Sequence, residues 1–225
     1  MQCSICRKDT IIYQPYSGQH LCREHFIASV DAKVKREIRR HHWLQSDDHI
    51  GVVQDGDLPG KTLLSFLTNL TGNRKDIRIS AISTGAGIPP GAKLTKLAVA
   101  TTLEDAATSV LASVLRGQPG QRVASVRAGD GPTIPVIVPF SHIPAEEIIL
   151  YGRLCGISET APAVTQEPDP FLCEVKILLA DYTGKHPATP HAVLNLGESL
   201  ETFGKKTPGA NECRIEQLKK FMHQL

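Results

Sequence analysis

Four candidate metal ligands stand near the start of the chain, in two pairs with the same internal spacing. Two residues separate Cys3 from Cys6, and two separate Cys22 from His25. Two such pairs suit a tetrahedral Zn²⁺ that is held by two tight turns. A module of this size cannot bury a core of its own, so the metal would supply its folding energy. The spacing predicts a structural zinc knuckle over residues 1–26, with reduced thiols at a chance spacing as the alternative.

The 15 residues between the two ligand pairs are enough for a short hairpin. We expect one strand at Ile11–Tyr13, a turn at Tyr16–Gly18 and a return strand at His20 and Leu21. His20 is a second, weaker candidate for the fourth ligand. In a chain that starts without a signal-peptide pattern, six cysteines favour metal ligands or plain thiols over disulfides. We therefore expect a cytoplasmic protein, and with no apolar run near ~20 residues we expect no membrane span.

A basic segment follows the knuckle. Apolar residues near helical spacing predict a helix over Phe26–Leu44, within a connecting segment at 27–46. The formal net charge of +2 does not imply a nucleic-acid partner, but the local density of positive charge would hold phosphates. A solvated charged face is the alternative. The candidate RNA-binding residues are Lys33, Lys35, Arg36, Arg39 and Arg40.

A strand, a glycine-containing turn and a helix come next, in the order typical of a phosphate-binding loop. The apolar run at 50–54 predicts the strand, and the leucines after residue 62 predict the helix. Gly60 and Lys61 stand where a Walker A loop has its Gly-Lys pair, but the first glycine of that motif is replaced by Asp55. Asp57 adds a second negative charge where a polyphosphate would lie. The sequence therefore favours a structural turn over a Walker A loop.

The segments that carry a family likeness are Cys3–Phe26 with the basic helix, Leu97–Gly117, Pro135–Pro139, Ile143–Tyr151 and Cys173–Leu200. Together they resemble the ATP-pyrophosphatase enzymes of tRNA 2-thiolation, the archaeal and eukaryotic-type tRNA 2-thiouridine synthetases. The resemblance implies an α/β fold over 47–203, with a parallel sheet, helices on both faces and an adenine-nucleotide α-hydrolase-like topology. It also implies an N-terminal zinc finger and a C-terminal tail or helix over 204–225. Enzymes of this family adenylate C2 of a tRNA uridine with ATP and then replace the oxygen with sulfur.

The chain differs from this family at the positions that carry the family's catalytic residues. The family's loop reads S-G-G-x-D-S, whereas Asp55–Gly60 here keeps one glycine of that motif. The catalytic or cluster-binding cysteines are missing from both expected positions, and the C-terminal four-cysteine zinc site is reduced to Cys213. An acidic pair of the second nucleotide segment remains. We expect no ATP binding, and the residues of a vestigial cofactor site would be Gly56, Gly60, Lys61, Glu104 and Asp105.

The sequence thus predicts a non-catalytic family member that binds tRNA or an active thiolation partner. That partner would be a catalytically active paralogue or a sulfur-carrier protein, and a homodimer or heterodimer is compatible with this role. One alternative is an enzyme with a rebuilt nucleotide site that performs ATP-dependent tRNA sulfur transfer. Another is a protein-assembly factor outside RNA biology.

Secondary-structure patterns complete these expectations. Short β-like runs predict strands near 50–54, 76–83, 94–99 and 134–138. In the helix expected at 143–156, Glu146 and Glu147 are interpreted as solvated and Cys155 as a buried thiol. Cys173, at the start of a further helix, is interpreted as a packing residue.

Overall fold

The structure is a computed structural model that describes residues 1–83, 93–118, 125–127, 133–158 and 169–206. Two short strands form an N-terminal hairpin, β1 (Ile12–Gln14) and β2 (Gln19–Leu21). The remaining strands are β3 (His49–Val53), β4 (Arg78–Ile82), β5 (Lys96–Ala98), β6 (Ser125–Arg127) and β7 (Thr133–Ile137). The helices are α1 (Arg23–Arg40), α2 (Leu58–Thr71), α3 (Leu103–Leu115), α4 (Ala145–Leu154), α5 (Pro170–Lys185) and α6 (Thr189–Lys206).

The main sheet has the strand order β4-β3-β5-β7-β6. The first four strands run parallel to one another, and the predicted parallel α/β fold is confirmed. Strand β6 pairs antiparallel to β7 at one edge. The sequence analysis missed β6, because three residues are too few to give a periodic pattern.

The helices form two groups. In the first, α4 contacts both α1 and α2, and in the second α3, α5 and α6 are in mutual contact. Apolar side chains of the first group pack on β3 in the main core, where Ile50, Leu67 and Ile148 are at most 1% exposed. A smaller core joins α3 to α6 through Val110 and Leu194. Among the described residues, no helix is long and apolar enough to cross a membrane.

Helix α1 belongs to the main core. Phe26, Val30 and Val34 are at most 1% exposed and pack in the same cluster as the sheet. The helix begins at Arg23, inside the predicted knuckle, and ends at Arg40, four residues before the predicted end at Leu44. It stops there because His42 adopts a left-handed backbone conformation, with φ of 51°. Of the segment predicted as a tail at 204–225, the structure describes the last turn of α6, and Cys213 lies outside the described residues.

Candidate metal centre and phosphate-type loop

The hairpin and the start of α1 bring four metal-ligand side chains together. The Cys3–Cys6 pair lies on a tight turn in which the backbone N–H of Arg7 donates to the Cys3 carbonyl, at 3.0 Å. Cys22 is the N-cap of α1 and His25 lies in its first turn. The three Sγ atoms and a ring nitrogen of His25 all lie within 4.8 Å of one another.

The distances between these atoms fit one tetrahedral ion. A centre with Zn–S bonds of ~2.3 Å and a Zn–N bond of ~2.0–2.1 Å has S···S edges of about 3.8 Å and S···N edges of about 3.6 Å. The Sγ atoms of Cys6 and Cys22 are 3.6 Å apart. The Nδ1 atom of His25 is 3.5 Å from the Sγ of Cys3 and 3.3 Å from that of Cys22. The cluster is therefore a metal-binding site, and His20 is outside it, stacked on the Tyr13 ring at 4.6 Å.

The backbone around Cys3 favours the thiolate that a metal requires. Burial raises the pKa of the Cys3 thiol, but hydrogen bonds from the backbone N–H groups of Ile5, Cys22 and Cys6 outweigh burial and lower it to about 6. Since metals bind the thiolate, Cys3 is prepared for coordination at neutral pH.

A buried polar network fixes the knuckle to the rest of the fold. The carboxylate of Glu147, on α4, is 4% exposed and accepts hydrogen bonds from Gln14 at 2.9 Å and from the Tyr16 hydroxyl at 2.5 Å. Lys33 lies 3.3 Å from its other oxygen. Burial and the Glu147 carboxylate together raise the pKa of Tyr16. The expectation that Glu147 is solvated was wrong, because its side chain faces Gln14 and Tyr16 of the hairpin, whereas Glu146 is exposed.

The loop between β3 and α2 has the shape of a phosphate-binding turn, but a carboxylate of the chain occupies its helix start. Asp57 is the N-cap of α2, and its side chain accepts a hydrogen bond from the Gly60 N–H at 3.0 Å and another from the Asp55 N–H at 3.3 Å. A Cβ atom on Gly60 would lie 2.7 Å from Asp57 Oδ1 and 3.0 Å from the Val53 carbonyl. Gly60 is therefore needed for this tight turn whether or not a ligand binds.

The polar side chains around this loop are also engaged within the protein. The Thr62 hydroxyl is fully buried and donates to the Leu58 carbonyl at 2.7 Å. Lys61 donates to the Ser158 carbonyl at 3.2 Å. Ser83 donates to Asp55 at 2.9 Å.

The acidic pair after β5 lies at the same edge of the sheet, since β3 and β5 are parallel neighbours. Glu104 accepts a hydrogen bond from the Ala145 N–H at 2.9 Å and so caps the start of α4. Asp105 accepts from the Thr102 hydroxyl and from Lys176, each at 2.8 Å. Thr102 in turn caps α3 through the Asp105 N–H. The structure thus brings the five predicted cofactor residues to one edge but gives both carboxylates structural partners.

The five predicted RNA-binding residues divide into two sets. Lys33 is directed into the Glu147 network, and Arg40 pairs with Glu198 at 2.8 Å. Lys35, Arg36 and Arg39 lie on the outer side of α1. Next to them is an open hollow of about 600 Å³ between the ends of α1 and α2. It is lined by apolar and basic side chains, which are Ile38, Leu44, Leu70, Lys35, Arg39, His42 and Arg74, together with Thr71.

Two further cysteines have no role in the knuckle. Cys155 follows α4 and is exposed, so the expectation of a buried thiol was wrong. The cause is the end of α4 at Leu154, which turns the next residue outward. Cys173 is half-buried in the first turns of α5.

Comparison with known proteins identifies proteins that are similar to the N-terminal module and to the overall fold. Residues 2–27 match the family model described as "2-thiouridine synthetase TtuA, N-terminal LIM domain". Over 47 residues the chain is 45% identical to the tRNA 2-thiolation protein NcsA of Haloferax volcanii. That match covers 21% of this chain and 15% of the relative.

Among solved structures, the chain is similar to the U34-tRNA thiolase NcsA from Methanococcus maripaludis, a structure that contains a 4Fe-4S cluster. The TM-score is 0.73, and the superposition covers 90% of this chain and 88% of that one. Sequence identity over the superposition is 15%, so the likeness establishes a shared fold.

Proposed function

Since the chain is a member of the tRNA 2-thiolation family, we propose that it is a non-catalytic member that binds tRNA through one face of α1. The observation that carries this proposal is the start of α2, where Asp57 occupies the position in which a thiolation enzyme would hold a phosphate.

The β3–α2 loop is poorly suited to a leaving pyrophosphate. Stabilising that group requires N–H donors and hydroxyls that point at it without prior partners. Here the Gly60 N–H donates to Asp57, and Pro59 has no N–H to give. Asp55 and Asp57 would each repel a phosphate by about 1 kcal/mol or more. ATP is therefore an unfavourable ligand for this edge of the sheet.

A magnesium site is equally disfavoured. Metal-assisted phosphoryl chemistry needs carboxylates free to hold Mg²⁺ beside the phosphates. Glu104 and Asp105 cap or pair with other groups of the chain, and Thr62 is buried. Binding ATP·Mg²⁺ would require breaking these contacts first.

The knuckle metal in this proposal is a structural Zn²⁺. The donor set of three thiolates and one imidazole leaves no open position on a four-coordinate ion. A 4Fe-4S cluster carries its ligands on four separate irons and so needs donors farther apart than a single ion does. The four donor atoms lie within 4.8 Å, which favours one ion. Bound there, Zn²⁺ would stabilise the hairpin and the start of α1 and would take no part in chemistry.

The RNA surface in this proposal is the exposed side of α1 with the adjoining hollow. Arg36 and Arg39 supply positive charge, and Lys35, which pairs with Asp31 at 3.2 Å, lies beside them. Arg74, which pairs with Asp76, lines the other side of the hollow. Phosphates bind to such cations, and the apolar floor suits an unstacked base. Lys33 is directed into the Glu147 network and Arg40 pairs with Glu198, so we leave both out of this surface.

Calorimetric titration with ATP and Mg²⁺ tests the loss of nucleotide binding. We expect a Kd weaker than about 100 μM, which corresponds to about 5.5 kcal/mol. An assay with a sulfur donor and unmodified tRNA should give no sulfur incorporation by this chain alone. Tighter ATP binding or sulfur incorporation would favour the alternative, an enzyme with a rebuilt site.

Salt-dependent tRNA binding tests the surface. Replacing Lys35, Arg36 and Arg39 with Ala should weaken tRNA binding and reduce the slope of log K against log salt by ~0.7–0.9 for each phosphate that is no longer neutralised. The matched control replaces three basic residues elsewhere, Arg116, Lys176 and Lys185, and should leave the slope unchanged. Equal behaviour of the two triple variants would argue against this face. It would direct attention to a protein partner, which co-purification with the native chain would identify.

A further inference from the structure

A second group of metal-ligand side chains lies away from the knuckle, where α1 meets α6. Glu37 lies in the last turn of α1, and His41 is the residue that caps its C-terminal end. This four-residue spacing lets the two side chains reach the same ion. His142 comes from the turn after β7, and Glu198 projects from α6. Three separate parts of the chain therefore contribute to this cluster, which is formed by Glu37, His41, His142 and Glu198.

One donor atom each of Glu37, His41 and Glu198 lie close enough together to share one ion, and His142 Nε2 adjoins two of these residues. A tetrahedral site with bonds of ~2.0–2.1 Å to nitrogen and oxygen has edges of about 3.4 Å. His142 Nε2 lies 2.9 Å from Glu198 Oε1 and 3.6 Å from Glu37 Oε2. His41 Nε2 lies 3.5 Å from the same Glu37 oxygen, and one donor atom each of Glu37, His41 and Glu198 lie within 4.8 Å of one another.

Glu37 provides an independent reason to expect a ligand. Its side chain is 8% exposed, and its Oε2 atom is buried without a hydrogen-bond partner. Side-chain nitrogens of Arg40, His41 and His142 stand 3.5–3.7 Å away, beyond ordinary hydrogen-bond length. A buried carboxylate oxygen without a donor is costly. This oxygen lies 3.5 Å from His41 Nε2 and 3.6 Å from His142 Nε2, and the Glu37 carboxylate shares the 4.8 Å group with His41 and Glu198.

Arg40 is a permanent cation beside the cluster, and its position is compatible with a metal. Its guanidinium donates to Glu198 Oε2 at 2.8 Å, which leaves Oε1 directed at the cluster. Arg40 can thus orient Glu198 as an outer partner of a ligating carboxylate does. Trp43 stacks on the His41 ring at 4.7 Å and fixes its direction.

We propose that Glu37, His41, His142 and Glu198 bind a divalent transition metal, of the kind that takes imidazole and carboxylate ligands together. The ion would fasten α1 to α6 and to the turn after β7, and Glu37 would gain the partner it lacks. The competing arrangement has a protonated His142 held between the two carboxylates with no metal.

Titration of the metal-free full-length chain with Co²⁺ tests the site, because cobalt reports on its ligands. The knuckle binds through sulfur and gives thiolate-to-cobalt charge-transfer absorption. The second site binds through nitrogen and oxygen, so it adds visible ligand-field absorption without charge transfer. We expect two equivalents for the natural chain. Cys6→Ser should lose the equivalent that carries charge transfer and keep the other.

Glu37→Gln should do the opposite. It should retain the charge-transfer band and lower the affinity of the second site for Co²⁺ by about tenfold to hundredfold. Glu146→Gln is the matched control, since Glu146 is an exposed glutamate on α4, and should bind two equivalents. If Glu37→Gln does not fold, as judged by circular dichroism, His142→Gln and Glu198→Gln take its place. A single equivalent in the natural chain overturns the proposal, as does a second equivalent that these variants leave unchanged.

Discussion

The knuckle and the β3–α2 loop are both tight turns set against the start of a helix, yet their polar groups are used differently. In the knuckle, Cys3, Cys6, Cys22 and His25 place one donor atom each within 4.8 Å of one another, as the ligands of a single ion would be. In the loop, Asp57 already accepts the N–H groups that a ligand would need. The donors of the knuckle are arranged for a metal ion, whereas the donors and acceptors of the loop are paired with one another.

A segment can therefore keep the residue order of a binding motif although its polar groups are not available to a ligand. Gly60, Lys61 and Thr62 keep the order of residues seen in phosphate-binding loops, and the turn they make is the expected one. Their contacts are internal, and the same is true of Glu104 and Asp105. Whether groups remain without partners is therefore a better guide to binding than whether a motif is recognisable.

Loss of the knuckle metal should have the largest effect. Cys6→Ser removes one of four ligands, and apparent metal-binding energies in such modules are ~10–16 kcal/mol. We expect the thiolate-bound metal to be lost and residues 1–20 to become sensitive to protease. The core should stay folded, because Leu21 and Phe26 are buried in the main apolar cluster. Metal analysis and limited proteolysis measure the two effects.

Cys155→Ser is the control for that experiment, since Cys155 is an exposed thiol outside the knuckle. It should keep its metal and its protease resistance. If Cys6→Ser retains the metal, Cys6 is not one of the ligands that the metal in the knuckle requires.

The docking of the knuckle should depend on Glu147. Glu147→Ala leaves Lys33 partly buried without its carboxylate and removes the acceptor of Gln14 and Tyr16. Breaking a buried pair in this way costs about 3–5 kcal/mol. Urea unfolding should show that loss, and Glu146→Ala, its exposed neighbour, should stay within about 0.5 kcal/mol of the natural chain. Equal stability of the two variants would mean that the network does not hold the knuckle.

A pH effect should come from His191, whose ring packs against Tyr16 of the hairpin turn at 4.7 Å. Burial, with the charges of Lys33 and His142, lowers the pKa of His191 to about 4. An unfolded histidine has a pKa near ~6.5, so between these values the unfolded chain binds more protons and stability falls as the pH falls. Because the ring is only half-buried, we expect a loss of about 1–2 kcal/mol.

Denaturant melts of His191→Phe from pH 7 to pH 4.5 measure this effect. The variant keeps a ring against Tyr16 and should lack that part of the pH dependence. His186→Phe, at an exposed position after α5, should retain it. If the stability of the natural chain and that of His191→Phe change with pH in parallel, the pH effect does not come from His191.

The sequence predicted the parallel strands and the ligand cluster, because both depend on spacing along the chain. The four β-like runs coincide with β3, β4, β5 and β7. What escaped prediction depends on contacts across the fold. Glu147 reaches Gln14 and Tyr16 over more than 130 positions, and Glu198 reaches Arg40 from a different helix. Of the second cluster, only the four-residue step from Glu37 to His41 is visible in the sequence.

The last prediction concerns Asp57 and has the smallest expected effect. Asp57→Ala removes the cap of α2 and should cost about 1 kcal/mol, whereas Asp57→Asn keeps a side-chain acceptor and should stay close to the natural stability. The alanine variant also frees the Gly60 N–H and removes a negative charge from the helix start. Pro59 still lacks an N–H and Asp55 remains, so we expect pyrophosphate to bind with a Kd above about 1 mM, or about 4.1 kcal/mol. Calorimetry with pyrophosphate measures this. A Kd below about 100 μM for Asp57→Ala alone would show that one carboxylate keeps the loop closed, and that the loop differs from a working phosphate site by a single residue.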